Sequence, residues 1–176
     1  YNEGQLIQFS GFLFKRIEPD IYQIYKSLNR YVKLEYGNIN RFIRDFTGIT
    51  DIYLESFGIT LDDAREQIYK LLDEPGLLVV SHGLYNDRQT MLGNGIDMYF
   101  NGEKEEIEGS CTYSASKRLL DREKKLTLAD VAQDAGVFLS NHHNAFDDAW
   151  ATIAVYSLLS KLQEEKKIEK TSKKIL

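Results

Sequence analysis

The chain has 176 residues and a mass of 20.3 kDa, which suits one domain with a sizeable core. Hydrophobic residues make up 43% and charged residues 28% of it, an ordinary globular composition, and no apolar run approaches the roughly 18 residues of a membrane span. The net charge of −5 argues against a protein that coats duplex nucleic acid, because phosphate neutralisation requires a basic surface.

Cysteine usage and the first residues indicate where the protein works. The single cysteine, Cys111, excludes an internal disulfide framework and a cysteine-rich zinc site. Residues 1–4 contain neither the basic nor the apolar segment of a targeting signal. We therefore expect an intracellular, cytoplasmic protein that does not associate with a membrane.

The charge is uneven along the chain. Residues 161–176 hold six lysines and three glutamates, so the rest of the chain is more acidic than the whole. We interpret this end as a solvated, frayed helix end, with contact to phosphates as the alternative. The predicted organisation is one domain over 1–165 and a basic tail over 166–176.

The first half of the chain predicts strands and short helices. A strand over 5–14 is rich in aromatic and branched residues, and a second over 30–35 alternates apolar and polar positions. The segment between them is ambiguous. A short amphipathic piece covers 39–46, and a helix is expected after Thr60, which has the spacing of a capping box.

The second half predicts a buried strand followed mainly by helices. Residues 77–82 form a continuous apolar run, the pattern of a strand covered on both sides in a parallel or mixed sheet. Further along the chain we expect a helix over 87–92, a poor strand over 105–112, and helices near 115–120, after Thr127 and over 145–163. This alternation predicts one α/β domain.

Two histidines and two aspartates crowd the start of the last predicted helix, in residues 141–150. If Asn144 caps that helix, His143 stands just before it and Asp148 lies in its first turns, where the helix dipole favours a carboxylate. At about 100° per residue, Asp148 shares a stripe with apolar residues that face inward. A capping carboxylate beside a satisfied histidine explains the segment. A metal-binding Asp with a histidine base requires further carboxylates elsewhere.

A second polar cluster, residues 81–87, follows the apolar strand directly. Ligands collect outside the carboxyl ends of strands in open α/β sheets, so Asp87 stands where a functional site is expected. A structural Asp at the start of the next helix is the alternative.

Two motifs of this chain resemble those of a known family. They are His82-x4-Asp87, after the apolar strand, and His143-x-Ala145-x2-Asp148-Ala149, at the head of the last helix. They are similar to the second and third motifs of the DEDDh 3′–5′ exonucleases, a family that includes ribonuclease T and polymerase proofreading subunits. The likeness extends from Gln5 to about Leu162, and it includes Tyr31-Val32-Lys33, Thr47-Gly48-Ile49-Thr50 and Cys111-Thr112, the last with Cys where Asp is usual. It implies a ribonuclease H-like fold, with a mixed central sheet flanked by helices.

The family's first motif, Asp-x-Glu on a first strand, has no counterpart after Tyr1, and Glu3 has no Asp two residues before it. In the family that strand lies in the middle of the sheet. Without it, the strands at Gln5 and Leu77 would leave backbone groups unpaired on their facing edges, which is costly. We therefore expect a further strand-length segment before Tyr1 in the natural protein, on the order of ten to twenty residues.

The resemblance implies a mechanism and a set of site residues. Asp87 and Asp148, with the missing Asp-x-Glu, would hold two Mg²⁺ or Mn²⁺ ions, and His143 would be the general base for phosphodiester hydrolysis. The substrate would be the 3′ end of a single-stranded nucleic acid. Tyr85 and Phe146 would contact its terminal bases, although aromatic residues at such spacings often fill a core.

Three neighbouring residues receive no catalytic role. Asp147 lies beside the metal ligand but does not match the family's ligand position. His142 and His82 are interpreted as structural residues.

Two other functions compete with this one. The same fold could serve as a nucleic-acid-binding or interaction module that has lost catalysis with its first motif. A histidine-dependent hydrolase with Cys111 as nucleophile is disfavoured, because no glycine elbow or helix start that would lower the pKa of the thiol is recognised at Cys111.

Overall fold

The structure is a computed structural model that describes residues 4–18, 21–98, 107–120, 126–139 and 143–172, with side chains up to residue 167. Helices and strands alternate along these ranges. They are β1 (Gln8–Glu18), β2 (Ile21–Tyr31), α1 (Arg41–Thr47), α2 (Asp51–Phe57), α3 (Leu61–Leu72), β3 (Leu78–Ser81), α4 (Leu84–Gly93), β4 (Glu108–Cys111), α5 (Thr112–Leu119), α6 (Leu128–Asp134) and α7 (Ala145–Ser172). The predicted α/β class is confirmed.

The described strands pair into two small sheets. The first is an antiparallel hairpin of β1 and β2, which runs from the pair Gln8 and Tyr31 to the pair Glu18 and Ile21 and has two register shifts. The second consists of the parallel strands β3 and β4. Within the described residues these sheets do not join. Two separate two-stranded sheets therefore stand where a single central sheet was expected.

Several predicted boundaries differ from the structure. The ambiguous segment is strand β2, which ends at Tyr31, where the predicted second strand only begins. Helix α2 was not predicted; Thr50 caps it by accepting a hydrogen bond from the Tyr53 N–H. Helix α7 continues to Ser172, past residue 163, where the predicted helix ends. The expected break at Pro19-Asp20 and residues His142 and Gly102 lie outside the described residues.

Strand β3 is less covered than its apolar sequence predicts. Leu78 is 37% exposed, and Val79, Val80 and Ser81 are only partly buried. The expectation of a strand covered on both sides is therefore wrong for the described structure, because side chains on both faces of β3 keep an exposed surface. Among the described strands, β3 pairs with β4 alone.

The core has two parts, and α7 helps to join them. The buried face of α3 packs with β1 and β2 in the first part, which comprises mainly Leu13, Leu28, Leu61, Ala64, Ile68 and Leu71. Helices α5, α6 and α7 form the second around Val131, Ala151 and Val155. Helix α7 also contacts β1, β2 and β3. None of the described helices combines the length and apolarity that crossing a membrane requires.

The start of α7 is fastened to β1 by one side chain. The Gln8 Oε1 atom accepts a hydrogen bond from the Ala145 N–H at 3.1 Å, and the Gln8 Nε2 donates to Asn144 Oδ1 at 3.4 Å. The first N–H groups of a helix have no partner within the helix. Gln8 therefore satisfies a helix-terminal donor and also fixes where α7 begins relative to β1.

We expect Gln8→Ala to lower the free energy of unfolding by about 1–3 kcal/mol, because the Ala145 N–H loses its partner in a part-buried position. Urea unfolding measures this loss, and hydrogen exchange should show faster exchange at the first residues of α7. Gln23→Ala, at an exposed position of β2, is the control and should change stability little. Equal stability of the two variants would show that Gln8 does not hold the helix.

Candidate functional site

The head of α7 is built as its sequence predicts. Asn144 caps the helix: its side-chain oxygen accepts from the Phe146 N–H at 3.0 Å, and its carbonyl accepts from the Asp148 N–H at 2.9 Å. Asp147 and Asp148 lie in the first turn. His143 precedes the cap with a φ of 67°, a left-handed conformation that histidine adopts more readily than most residues.

The two aspartates have different surroundings. Asp148 is half-buried on the stripe that continues into the fully buried Ala151 and Val155, as predicted. Asp147 lies near the hydroxyl of Tyr31. Burial, then the neighbouring Tyr53, and also the charge of Asp147 raise the pKa of Tyr31, against a hydrogen bond with Asn144 that lowers it.

The imidazole of His143 contacts an aromatic residue of α1, Phe46. Its ring stacks on Phe46 of α1, with ring centroids 3.5 Å apart and an angle of 23° between the planes. Phe46 in turn stacks on Phe42, with 5.5 Å between centroids and an angle of 18°. The four-residue spacing of the two phenylalanines on α1 was visible in the sequence, but their contact with His143 depends on the fold.

The second cluster lies after β3. Asp87 is in the first turn of α4, where its carboxylate accepts a hydrogen bond from the Ser81 hydroxyl. Burial raises the pKa of the Asp87 carboxyl, opposed by this hydrogen bond and by His82. The residue keeps an exposed surface, so a ligand can still reach it from the solvent side.

His82 has the environment of a structural residue. Its Nδ1 lies 3.0 Å from the Thr112 hydroxyl, and its ring meets Tyr113 edge-on. Burial lowers the pKa of His82, against the opposing effects of the Leu126 backbone and of Asp87. His82 therefore ties the end of β3 to the start of α5, in agreement with its interpretation as structural.

Cys111 contradicts one expectation. It is the N-cap residue of α5, so a helix start does adjoin it. Burial raises the pKa of the thiol, but hydrogen bonds from Ser114, Leu84 and Tyr113 together outweigh it and leave the pKa below the ordinary value. The Leu84 group belongs to α4, so it could not be recognised from the sequence around Cys111. The structure provides no general base for Cys111 among the groups that lower its pKa.

The two aromatic candidates differ in exposure. Tyr85, on α4, is 73% exposed and is available to a substrate. Phe146 is 38% exposed and packs edge-on against Phe12 of β1, with centroids 5.1 Å apart. Trp150 packs against the same Phe12 ring. The structure thus places Phe146 partly in the packing between α7 and β1.

The predicted metal ligands stand on neighbouring elements. Asp148 begins α7, which contacts β3, and Asp87 follows the end of β3. Carboxylate oxygens are the donors that Mg²⁺ and Mn²⁺ prefer. Among the residues that the structure describes, however, no three His, Cys, Asp or Glu side chains converge to hold a metal. The donor chemistry fits these cations, but the described residues do not complete the ligand set.

Comparison by sequence with protein families and with curated proteins finds no match. Comparison by structure finds E. coli exonuclease I in complex with a dA16 oligonucleotide, at a TM-score of 0.65 and 16% identity over 90% of this chain. The zinc-bound exonuclease I–ssDNA complex gives 0.67 and 17% over the same share. This chain spans 41% of the length of both. Exonuclease X with 5′ overhanging duplex DNA gives 0.58 and 15%, over 86% of this chain and 89% of that one. The chain therefore shares the fold of these exonucleases.

The lowered pKa of Cys111 predicts its reactivity. A thiol is deprotonated above its pKa, and the thiolate is the nucleophile. We expect the rate of alkylation by iodoacetamide to rise with pH, with a midpoint below the ordinary pKa of a cysteine thiol. Ser114→Ala removes one hydrogen bond to the sulfur and should move the midpoint upward. A midpoint at or above the ordinary value in the unchanged protein would contradict the assigned environment.

Proposed function

We propose that this protein is a metal-dependent 3′–5′ exonuclease of the DEDDh type, which hydrolyses phosphodiester bonds at the 3′ end of single-stranded DNA or RNA. The observation that carries the proposal is the capped head of α7. There Asn144 fixes the helix start, so that an exposed His143 precedes the half-buried Asp148. The exonuclease motif implied by the resemblance thus lies on a fold that known exonucleases share.

His143 is proposed as the general base. It is exposed and stands at the positive end of α7, outside the helix. Histidine is the side chain that most often serves as a general base. In this role the imidazole takes the proton of the attacking water while Asp148, on the inward side of the same helix start, holds its position by the hydrogen bond between its N–H and Asn144.

Asp87 and Asp148 are proposed as ligands of two Mg²⁺ or Mn²⁺ ions. When bound, such ions lower the pKa of water and stabilise the negative charge of the leaving oxygen. In the family that the two motifs resemble, an Asp-x-Glu motif supplies the remaining carboxylates. Burial raises the pKa of the Asp87 carboxyl. A bound cation would oppose this effect, because a nearby positive charge favours the ionised form.

A single-stranded end suits the charge of the protein. With a net charge of −5, the protein has no strong general attraction for a phosphate backbone. The contact would instead be local, through the cations and through stacking of terminal bases on Tyr85 and Phe146. Exonuclease I has been crystallised with dA16 and dT13 oligonucleotides, which supports a single strand as the substrate.

The second candidate is a binding module without catalysis. The absence of a converging set of three metal-binding side chains in the described part of the chain favours it. On this alternative, Asp87 and Asp148 serve only as acidic residues at helix starts. The two functions differ in turnover, not in fold.

The test uses the protein with 5′-labelled and 3′-labelled single strands of DNA and RNA, with Mg²⁺ or Mn²⁺ and with a chelator. We expect stepwise shortening of the 5′-labelled strand and immediate release of the 3′ label. His143→Ala should lower kcat by about 10²–10⁴, the usual contribution of general base catalysis, while the protein remains folded.

The two aspartates of α7 provide a matched control pair. Asp148→Asn should abolish turnover, whereas Asp147→Asn, one residue earlier on the same helix turn, should retain it. Strand binding without turnover in the unchanged protein would establish the binding module instead. Full activity of His143→Ala would remove His143 from the mechanism.

A further inference from the structure

Helix α1 presents its aromatic side chains to solvent. None of its seven described residues is buried, although Phe42 and Phe46 are the large apolar residues of an amphipathic pattern and would ordinarily face a core. Phe42 is 70% and Phe46 is 46% exposed. Their rings lie one helical turn apart and nearly parallel. Burial in the core does not account for this arrangement.

Capping interactions fix both ends of α1. Asn40 caps it by accepting from the Ile43 N–H, and Gly48 ends it in a left-handed conformation with φ of 72°. The Thr47 hydroxyl donates to the Ile43 carbonyl at 2.8 Å. Phe46 therefore stands on a helix that is fixed at both ends, and the direction of its ring is set by the backbone.

The imidazole of His143 occupies this aromatic surface. At 3.5 Å between centroids and an angle of 23°, the two rings are in face-to-face contact. The left-handed backbone of His143 and the fixed start of α7 at Asn144 together bring the ring there. The proposed general base is thus held against a phenylalanine by a stacking contact.

We propose that Phe46 is a positioning residue that holds His143 in a resting position, and that an unpaired base displaces the imidazole by stacking on Phe46. This rests on the proposed function, since it concerns the access of the same histidine to its substrate. Entry of a base and release of the general base would then be one event. Hydrolysis would be slow until a base has bound.

The relative strengths of the two stacks support displacement. A base stacked on an aromatic side chain contributes roughly 5- to 150-fold in affinity, and this stack would replace one with an imidazole. A nucleobase offers a larger planar face than an imidazole, and one face of Phe46 accommodates one ring. We therefore expect the base to displace the imidazole of His143 from Phe46 once the strand is bound.

The charges of α1 favour an unpaired base over a phosphate backbone. Arg41 and Arg44 both lie within ion-pair distance of Asp45, at 3.4 Å and 3.5 Å. The pairing reduces the positive field that would attract a duplex. When the imidazole leaves, the flat face of Phe46 becomes available, and a flat aromatic face is the feature on which unpaired bases stack.

The first measurement does not depend on activity. The ring current of Phe46 should move the ring-proton resonances of His143 upfield in an NMR spectrum, with His143→Ala for assignment. Phe46→Leu should move them downfield, and so should a short oligothymidylate with a phosphorothioate backbone, which resists hydrolysis, added with Mg²⁺ to the unchanged protein. Phe57→Leu replaces an exposed phenylalanine of α2 that stacks on Tyr53, and should leave them in place.

The second measurement is kinetic. A strand whose 3′-terminal nucleotide lacks its base cannot displace the imidazole, so we expect its kcat to be about tenfold lower than that of the intact strand. Phe46→Leu should bring the two kcat values together, and Phe46→Trp should restore the difference. Phe57→Leu should keep it.

The outcomes separate this proposal from the proposed function. If the NMR shifts occur as expected in a protein without turnover, Phe46 holds His143 and the exonuclease assignment fails. If the protein degrades 3′ ends but the His143 resonances ignore Phe46→Leu or the oligothymidylate, the exonuclease stands and this proposal is overturned. Failure of the oligothymidylate to bind overturns it as well.

Discussion

The site depends on one junction, where Gln8 of β1 meets the start of α7. Gln8 accepts from the Ala145 N–H and donates to Asn144, while Asn144 caps the helix. Helix α7 packs on β1, β2, β3, α5 and α6, so its position is set by much of the molecule. The cap and Gln8 determine the residue at which it begins. The start of the helix in turn sets the positions of His143, Asp147 and Asp148.

Local signals predicted the elements that carry their own caps. The threonines before α3 and α6 and Asn144 before α7 were recognised, and each accepts the expected hydrogen bond. The sequence could not predict β2, whose pairing with β1 contains register shifts, or α2, whose exposed apolar residues obscure its periodicity. Contacts between distant elements were also out of reach, such as the Leu84 N–H near Cys111 or Phe46 against His143. These depend on tertiary packing that no short pattern encodes.

Each of the two acidic clusters contributes one carboxylate, Asp87 or Asp148, to the proposed cation site. Burial raises the pKa of Asp87, an effect that a bound cation would oppose, and Asp148 is half-buried at a helix start. A site for two cations needs more than two carboxylates. Among the described residues, no three His, Cys, Asp or Glu side chains converge to hold a metal. The net charge of −5 gives the chain no strong general attraction for a phosphate backbone, and the proposed cations would supply that attraction locally.

The most direct test of the central claim is hydrolysis in ¹⁸O-labelled water. A single-stranded substrate is incubated with the protein and Mn²⁺, and the released products are analysed by mass spectrometry. The account predicts 5′-mononucleotides that carry one ¹⁸O in the phosphate, because water attacks the phosphorus and the 3′ oxygen leaves. Release of 3′-phosphorylated or cyclic products, or no mononucleotides at all, would contradict it.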